Sequence, residues 1–221
     1  MGALEDPDAL APVAALRRLR APAPRARRLN PITHFLVSWT VANAAPLERR
    51  DRAIVSLAGV APDVDGLGIV PELLTRGTSH PLPWFSEYHH VIAHNVAGAA
   101  VATGLAFALA RKRPLTAALA CVTFHLHLFC DVLGAKGPDG SQWPIPYLLP
   151  FSNAWQWTWS GQWELNAWPN MVLTAVLLVV ALVLAWRRGF SPLEMLSSRA
   201  DGLLVETLRK RFGAPRSEPS A

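Results

Sequence analysis

Two uninterrupted apolar stretches, Val91 to Ala110 and Pro114 to Leu133, each run twenty residues without a lysine or arginine, and their single carboxylate is Asp131. A helix of that length is about 30 Å long, the thickness of the hydrocarbon layer of a bilayer. A third apolar run extends from Asn170 to Trp186. Composition agrees with the pattern, because 51% of the 221 residues are hydrophobic and only 17% charged, against about 25% in ordinary soluble domains. The expected fold class is all-α: a polytopic membrane bundle of four to five helices.

Three regions are expected. Residues 1–29 form a basic arm rich in Ala, Arg and Pro, with one short amphipathic helix around 9–19. The arm lacks the apolar core of a signal peptide, so the first true helix is expected to act as its own insertion signal. Residues 30–186 make the membrane-embedded domain, and 187–221 a polar tail with an amphipathic stretch at 192–211. Asn30 and Pro31 suit a cap and first helical position, which starts a helix running to about Ala45 with His34 in its first turn. A second helix runs to about Val60 and is ended by Pro62. The segment holding Asp63 and Asp65 reads as loop, and 66–88 as irregular. The third helix then starts near 88–91, with His94 inside it. The fourth ends just past Asp131, and a long loop rich in tryptophan and proline precedes the fifth.

The chain carries a formal charge of +5, which could indicate nucleic acid. Its cations cluster beside the apolar runs instead, at 17–28, 49–52, 111–113, 187–188 and 209–211. That placement favours the bilayer and its anionic lipid headgroups as partners, with no specific nucleic acid expected. Cys121 and Cys130 lie about 13 Å apart along one predicted helix, too far for a disulfide.

The chemistry-bearing residues follow the helix ends. If successive helices alternate in direction, the start of the first, the end of the second, the start of the third and the end of the fourth share one side. His34, Asp63 with Asp65, His89 with His94, and His127 with Asp131 occupy those four positions in that order. Together they offer the imidazoles and carboxylates of a multinuclear metal site. His127 and Asp131 lie four apart, hence on one helix face. An ionisable side chain such as Asp131 is costly against lipid and is expected to face a polar interior. His125 points about 200° away from His127, so it should meet a neighbouring helix or make a contact just outside the ligands. His89 and His90 are adjacent, and either can be the ligand.

This order of residues, continued by Gly134 and the stretch from Trp143-Pro144 to Pro150-Phe151, resembles the bacterial inner-membrane metal-dependent hydrolases, over residues 30–186. Those proteins commonly carry His-Arg at the first histidine of the pair and Thr-His-Ser at the second; here the chain reads His89-His90 and Ala93-His94-Asn95. The family is in turn similar to zinc-dependent phospholipase C and single-strand nucleases. The resemblance implies two or three zinc ions near the membrane surface and hydrolysis of a phosphoester, possibly a lipid one, by a metal-activated water. On that basis Asp63, His90 and Glu164 are the expected catalytic residues, with Asp131 or Asp63 bridging ions. Either Glu164 or His80 would complete the set from a nearby loop, and His90 would take the place of the arginine.

Under the alternating scheme, thirteen of the 21 lysines and arginines fall on the side away from the site, which orients the site away from the cytoplasm; the six arginines of the arm pull the other way. Two other classes share these residues: a metal-ion or proton-coupled transporter, since intramembrane His and Asp mark ion pathways, and a non-catalytic membrane protein that uses metal for stability.

Overall fold

The computed structural model describes residues 31–137 and 140–215. The arm at 1–29, its expected short helix and the Asn30 cap lie outside them. Among the described residues there are eight α-helices and no strand: α1 (Pro31–Ala42), α2 (Arg49–Ala58), α3 (Ile69–Thr75), α4 (Trp84–Tyr88), α5 (Val96–Leu109), α6 (Arg113–Gly134), α7 (Trp168–Arg188) and α8 (Ser198–Phe212). The all-helical bundle expected from the apolar runs is present. Helices α6 and α7 are long and apolar enough to cross a membrane. α2 joined to Ala61–Thr75 makes a third such unit, bent by 50°.

Three boundaries differ from expectation. The apolar run from Val91 does not begin as helix, because Asn95 intervenes as a cap. Its backbone is extended, its Oδ1 accepts the Gly98 N–H at 3.0 Å, and its Nδ2 donates back to the carbonyls of Val91 and Ile92. The cap shortens α5 to fourteen residues and leaves His94 in a turn before it rather than inside it. Second, Asp63 and Asp65 lie in a 3-10 helix, Ala61–Gly68, with Pro62 in its opening turn rather than in a loop. Third, 66–88 is not irregular: α3 and α4 form there, joined by the Glu72 carboxylate, which accepts the Ser86 N–H and hydroxyl at 2.9 Å each.

The helices pack through small side chains. Ala99, Ala106, Ala117, Ala120, Ala181 and Ala185 are all buried, which lets apolar helices approach without a hydrophobic driving force between them. Trp39 and Phe124 fill the larger gaps. Met171, Val172, Val176, Val179 and Val183 along α7 are exposed, as side chains facing lipid would be. The Trp163 indole N–H donates to Asn170 Oδ1, and Asn170 Nδ2 donates to the Gly134 carbonyl. Those bonds join the end of α6 to the start of α7. In the aromatic loop between them Trp157 stacks on Tyr147, while Trp155 and Trp159 stay exposed.

At the other end of the bundle Asp51 accepts the backbone N–H groups of Arg111 and Lys112 and the Thr116 hydroxyl, holding the α5–α6 turn onto α2. Arg52 forms a buried, two-pronged pair with Glu194 at 2.8 and 2.6 Å, its guanidinium 3.7 Å above the Phe190 ring. The segment after α7 is thereby tied to α2.

Candidate metal centre

The four helix ends meet. His34 from the first turn of α1, Asp63 and Asp65 from the 3-10 helix, His89, His90 and His94 from the turns before α5, and His127 with Asp131 from α6 form one cluster. In it His34, His90, His94, His127, Asp65 and Asp131 are buried. The alternating-helix scheme brings these positions together as expected, although each element is shorter or longer than its sequence suggests.

Hydrogen bonds on the far side of two imidazoles determine which nitrogen faces inward. The Gly59 carbonyl can only accept, so His127 Nδ1, 2.8 Å from it, carries the proton. Asp65 Oδ2 holds His94 Nδ1 in the same way at 3.0 Å. Both Nε2 atoms then turn lone pairs toward the centre. They stand 3.3 Å apart, with Asp131 Oδ2 at 3.0 Å from His127 Nε2 and 3.4 Å from His94 Nε2, and Asp63 Oδ1 at 3.6 Å from His127 Nε2. Two donors bound about 2.0–2.1 Å from a tetrahedral ion stand about 3.3 Å apart. The spacing fits a small divalent cation. Asp131 Oδ2 is buried and has no hydrogen-bond donor, as a carboxylate oxygen reserved for a cation would be. Its Oδ1 lies 3.3 Å from His34 Nε2, and the His34 and His127 rings stack with centroids 3.8 Å apart. Asp131 is therefore placed to serve two neighbouring positions. Gln162 Nε2 donates to its carbonyl at 2.8 Å, so its backbone is held as well.

A cation-free cluster of lone pairs is repulsive, and a proton resolves it. Burial acts to lower the His94 pKa, but the nearby carboxylates of Asp131 and Asp65 outweigh burial and raise it to about 9. Burial dominates at His90, which is held well below its ordinary value and is neutral.

Asp65, expected as a ligand, forms a group at ligand spacing with His89 and His94, and its oxygens also have hydrogen-bonding partners. Both of its oxygens face hydrogen-bond donors: His89 Nδ1 at 2.8 Å on Oδ1, and His94 Nδ1 with the Ala93 N–H at 3.0 and 3.1 Å on Oδ2. It orients imidazoles, as carboxylates behind metal-bound histidines do. His90 comes closest to Asp131 Oδ2 at 4.0 Å, and its Nδ1 is buried without a hydrogen-bond partner. It adopts φ = 69°, a left-handed conformation uncommon for a side chain this large. His125 lies outside the cluster: Nδ1 donates to the Cys121 carbonyl and Nε2 meets the Tyr147 hydroxyl at 2.8 Å. Glu164 and His80 are exposed and join none of the His/Asp groups, so neither completes the set.

Two contributors, Phe85 and Gly59, carry no signal in the sequence, and Trp143 lies in the stretch that resembles the family. Phe85 stacks on His89 at 4.6 Å, and Trp143 presents its edge or face to His89 and His90 at 5.6 and 4.9 Å. Gly59 supplies the carbonyl for His127, and a Cβ there would fall 1.7 Å from Ser38 Oγ. No motif marks that glycine; only the close approach of α1 explains it. A cleft of about 380 Å³ shares His89 and His90 with the cluster and is lined further by Phe85, Trp143, Pro144 and Leu149.

A family model described as YdjM inner membrane protein matches residues 29–197. The chain matches no curated protein and no solved structure. The inner-membrane part of the expected resemblance is met, whereas the similarity to zinc-dependent phospholipase C and nucleases has no counterpart among these matches.

Proposed function

For this chain, which belongs to the YdjM inner membrane protein family, we propose a membrane-embedded, metal-dependent hydrolase of phosphoester bonds. The observation that carries it is the convergence of His94 Nε2, His127 Nε2 and Asp131 Oδ2 within 3.0–3.4 Å of one another, with Asp63 Oδ1 3.6 Å from His127 Nε2, beside an open cleft. Imidazole and carboxylate donors suit zinc, and Asp131 with His34 offers room for a second ion. A divalent ion in this set would acidify a coordinated water and polarise a phosphoryl oxygen.

The chain's own residues do the rest. Asp65 and Gly59 fix the tautomers of His94 and His127, so that both imidazoles present their Nε2 atoms in advance. Asp63, 26% exposed, and His89, 12% exposed and lining the cleft, are the ligand candidates with partly open side chains, and substrate and water would reach the centre past them. His90, neutral and beside the cleft, offers a group to a substrate oxygen, and Trp143 closes the wall behind it.

Depth favours a lipid-borne phosphoester. Asp131 lies about 27 Å along α6 from Arg113, close to the far boundary of a roughly 30 Å hydrocarbon layer. Lipid phosphates sit at that level. The position also supports hydrolysis over ion transport, whose sites lie near the bilayer midplane.

Zinc-supplemented protein in detergent, incubated with bis(p-nitrophenyl) phosphate and with a panel of phospholipids, tests the proposal. Hydrolysis of at least one, abolished by Asp63→Asn and by His94→Ala, is expected. A protein with bound metal that cleaves none of them would count against it.

A further inference from the structure

We propose that the bundle end opposite the His–Asp cluster is a binding face for anionic lipid headgroups, built by α8 lying flat across the ends of α2 and α7. The start of α8 is fastened to the start of α2, where Arg49 Nη1 donates to the Ser198 hydroxyl at 2.8 Å, reinforced by the buried Arg52–Glu194 pair. Its far end is fastened to the end of α7, where Trp186 Nε1 donates to the Gly213 carbonyl at 2.7 Å and Arg209 Nε donates to the Trp186 carbonyl at 3.3 Å. The starts of α2 and α6 are joined through Asp51, and α7 begins beside the other end of α6. Both attachment points therefore sit at one level of the bundle. A helix about 22 Å long tied to two points at one level runs parallel to the membrane plane.

The chemistry of that face fits an anionic bilayer surface. Val205 is buried against the bundle, while Leu203 and Phe212 of α8 and Leu196 just before it are 58%, 69% and 86% exposed, which leaves apolar side chains among the cations for a bilayer surface. Around it stand exposed cations at 49–50, 111–113, 187–188 and 210–211. Most acids at this end are engaged within the protein: Glu48 with Arg111, Asp51 with backbone N–H groups, Glu194 with Arg52, and Asp201 with Ser191; Glu206 on α8 is exposed, 4.0 Å from Lys210, and leaves the cations in excess. At the cluster end the described cations are Arg76 and Lys136. Such a basic face with apolar side chains is drawn to an anionic cytoplasmic leaflet. It would set the sidedness of the chain, with the His–Asp cluster opening on the opposite side. The inference does not depend on hydrolysis.

Native mass spectrometry of the full chain in detergent, titrated with phosphatidylglycerol or phosphatidylcholine, tests it. At least fivefold more phosphatidylglycerol than phosphatidylcholine should be retained, and the excess should shrink as salt rises. Replacing Arg187, Arg188, Lys210 and Arg211 by glutamine should remove the preference, whereas R187K/R188K/R211K and, at the other end, R76Q/K136Q should keep it. Circular dichroism verifies that each variant stays helical. Equal retention of the two lipids, or an unchanged preference in the folded glutamine variant, would overturn the proposal. So would loss of the preference in the folded lysine variant, because positive charge alone would then not account for it.

Discussion

His127 donates its Nδ1 proton to the Gly59 carbonyl at 2.8 Å, and that bond decides what the other side of the ring can do. It leaves Nε2 with a lone pair 3.0 Å from the buried Asp131 carboxylate, a contact that only a shared proton or a cation makes favourable. Several consequences follow from the way such outer bonds prepare the cluster.

Asp65→Asn should keep the fold and weaken the centre. The amide offers one acceptor where the carboxylate serves His89, His94 and the Ala93 N–H, so one imidazole loses its orienting partner. Zinc affinity should fall about 10- to 100-fold, measured by competition with a chromogenic chelator. Unchanged affinity would exclude an orienting role for Asp65.

Metal uptake should release a proton. His94 is raised to about 9 by Asp131 and Asp65 against the effect of burial, so at pH 7 the metal-free protein carries a proton where the ion would sit. Apparent affinity should rise with pH until about 9. Calorimetry in buffers of different ionisation enthalpy should show at least part of a proton released per ion bound at pH 7. Since the folded pKa lies above the unfolded one, this group stabilises the metal-free protein fully below about 6.5 and ceases to do so as pH passes through about 9. Binding independent of pH between 6 and 9 would contradict this assignment.

His125→Ala should leave the metal content intact. The side chain bonds to the Cys121 carbonyl and the Tyr147 hydroxyl, away from the cluster. The expected cost is about 1 kcal/mol of stability, read as a shift in thermal unfolding. Loss of metal would show that His125 belongs to the centre.

Glu194→Ala should loosen the C-terminal segment. It strands the buried Arg52 guanidinium, which pairs with Glu194 at 2.6 Å, at a cost of about 3–5 kcal/mol. Limited proteolysis should then cut between α7 and α8 faster than in the wild type. An unchanged cleavage pattern would contradict the tie.

The sequence displays the order of ligand candidates because helix direction alternates, so four helix ends had to meet at one side of the bundle. The same reasoning separates His127 from His125, two residues apart on a regular helix. What it cannot display is any bond made across the chain. The sequence marks Asp65 as a ligand candidate, and only the fold shows that residues 24 and 29 positions away also engage its two oxygens. Hydropathy hides the start of α5, because it reads Val91 to Ala110 as continuous, while one asparagine cap overrides it at Asn95. Glu164 and His80 lie in loops on the expected site side, yet both are exposed and join none of the His/Asp groups.

The most direct measurement is the metal content of the detergent-purified protein, by elemental mass spectrometry after equilibration with zinc and removal of the excess. It compares the wild type with a folded variant carrying both His127→Ala and Asp131→Ala. One or two tightly held ions per chain in the wild type, lost in the double variant, is the expected result. A wild type that holds no metal, or a double variant that retains its full complement, would contradict a metal centre built on these residues.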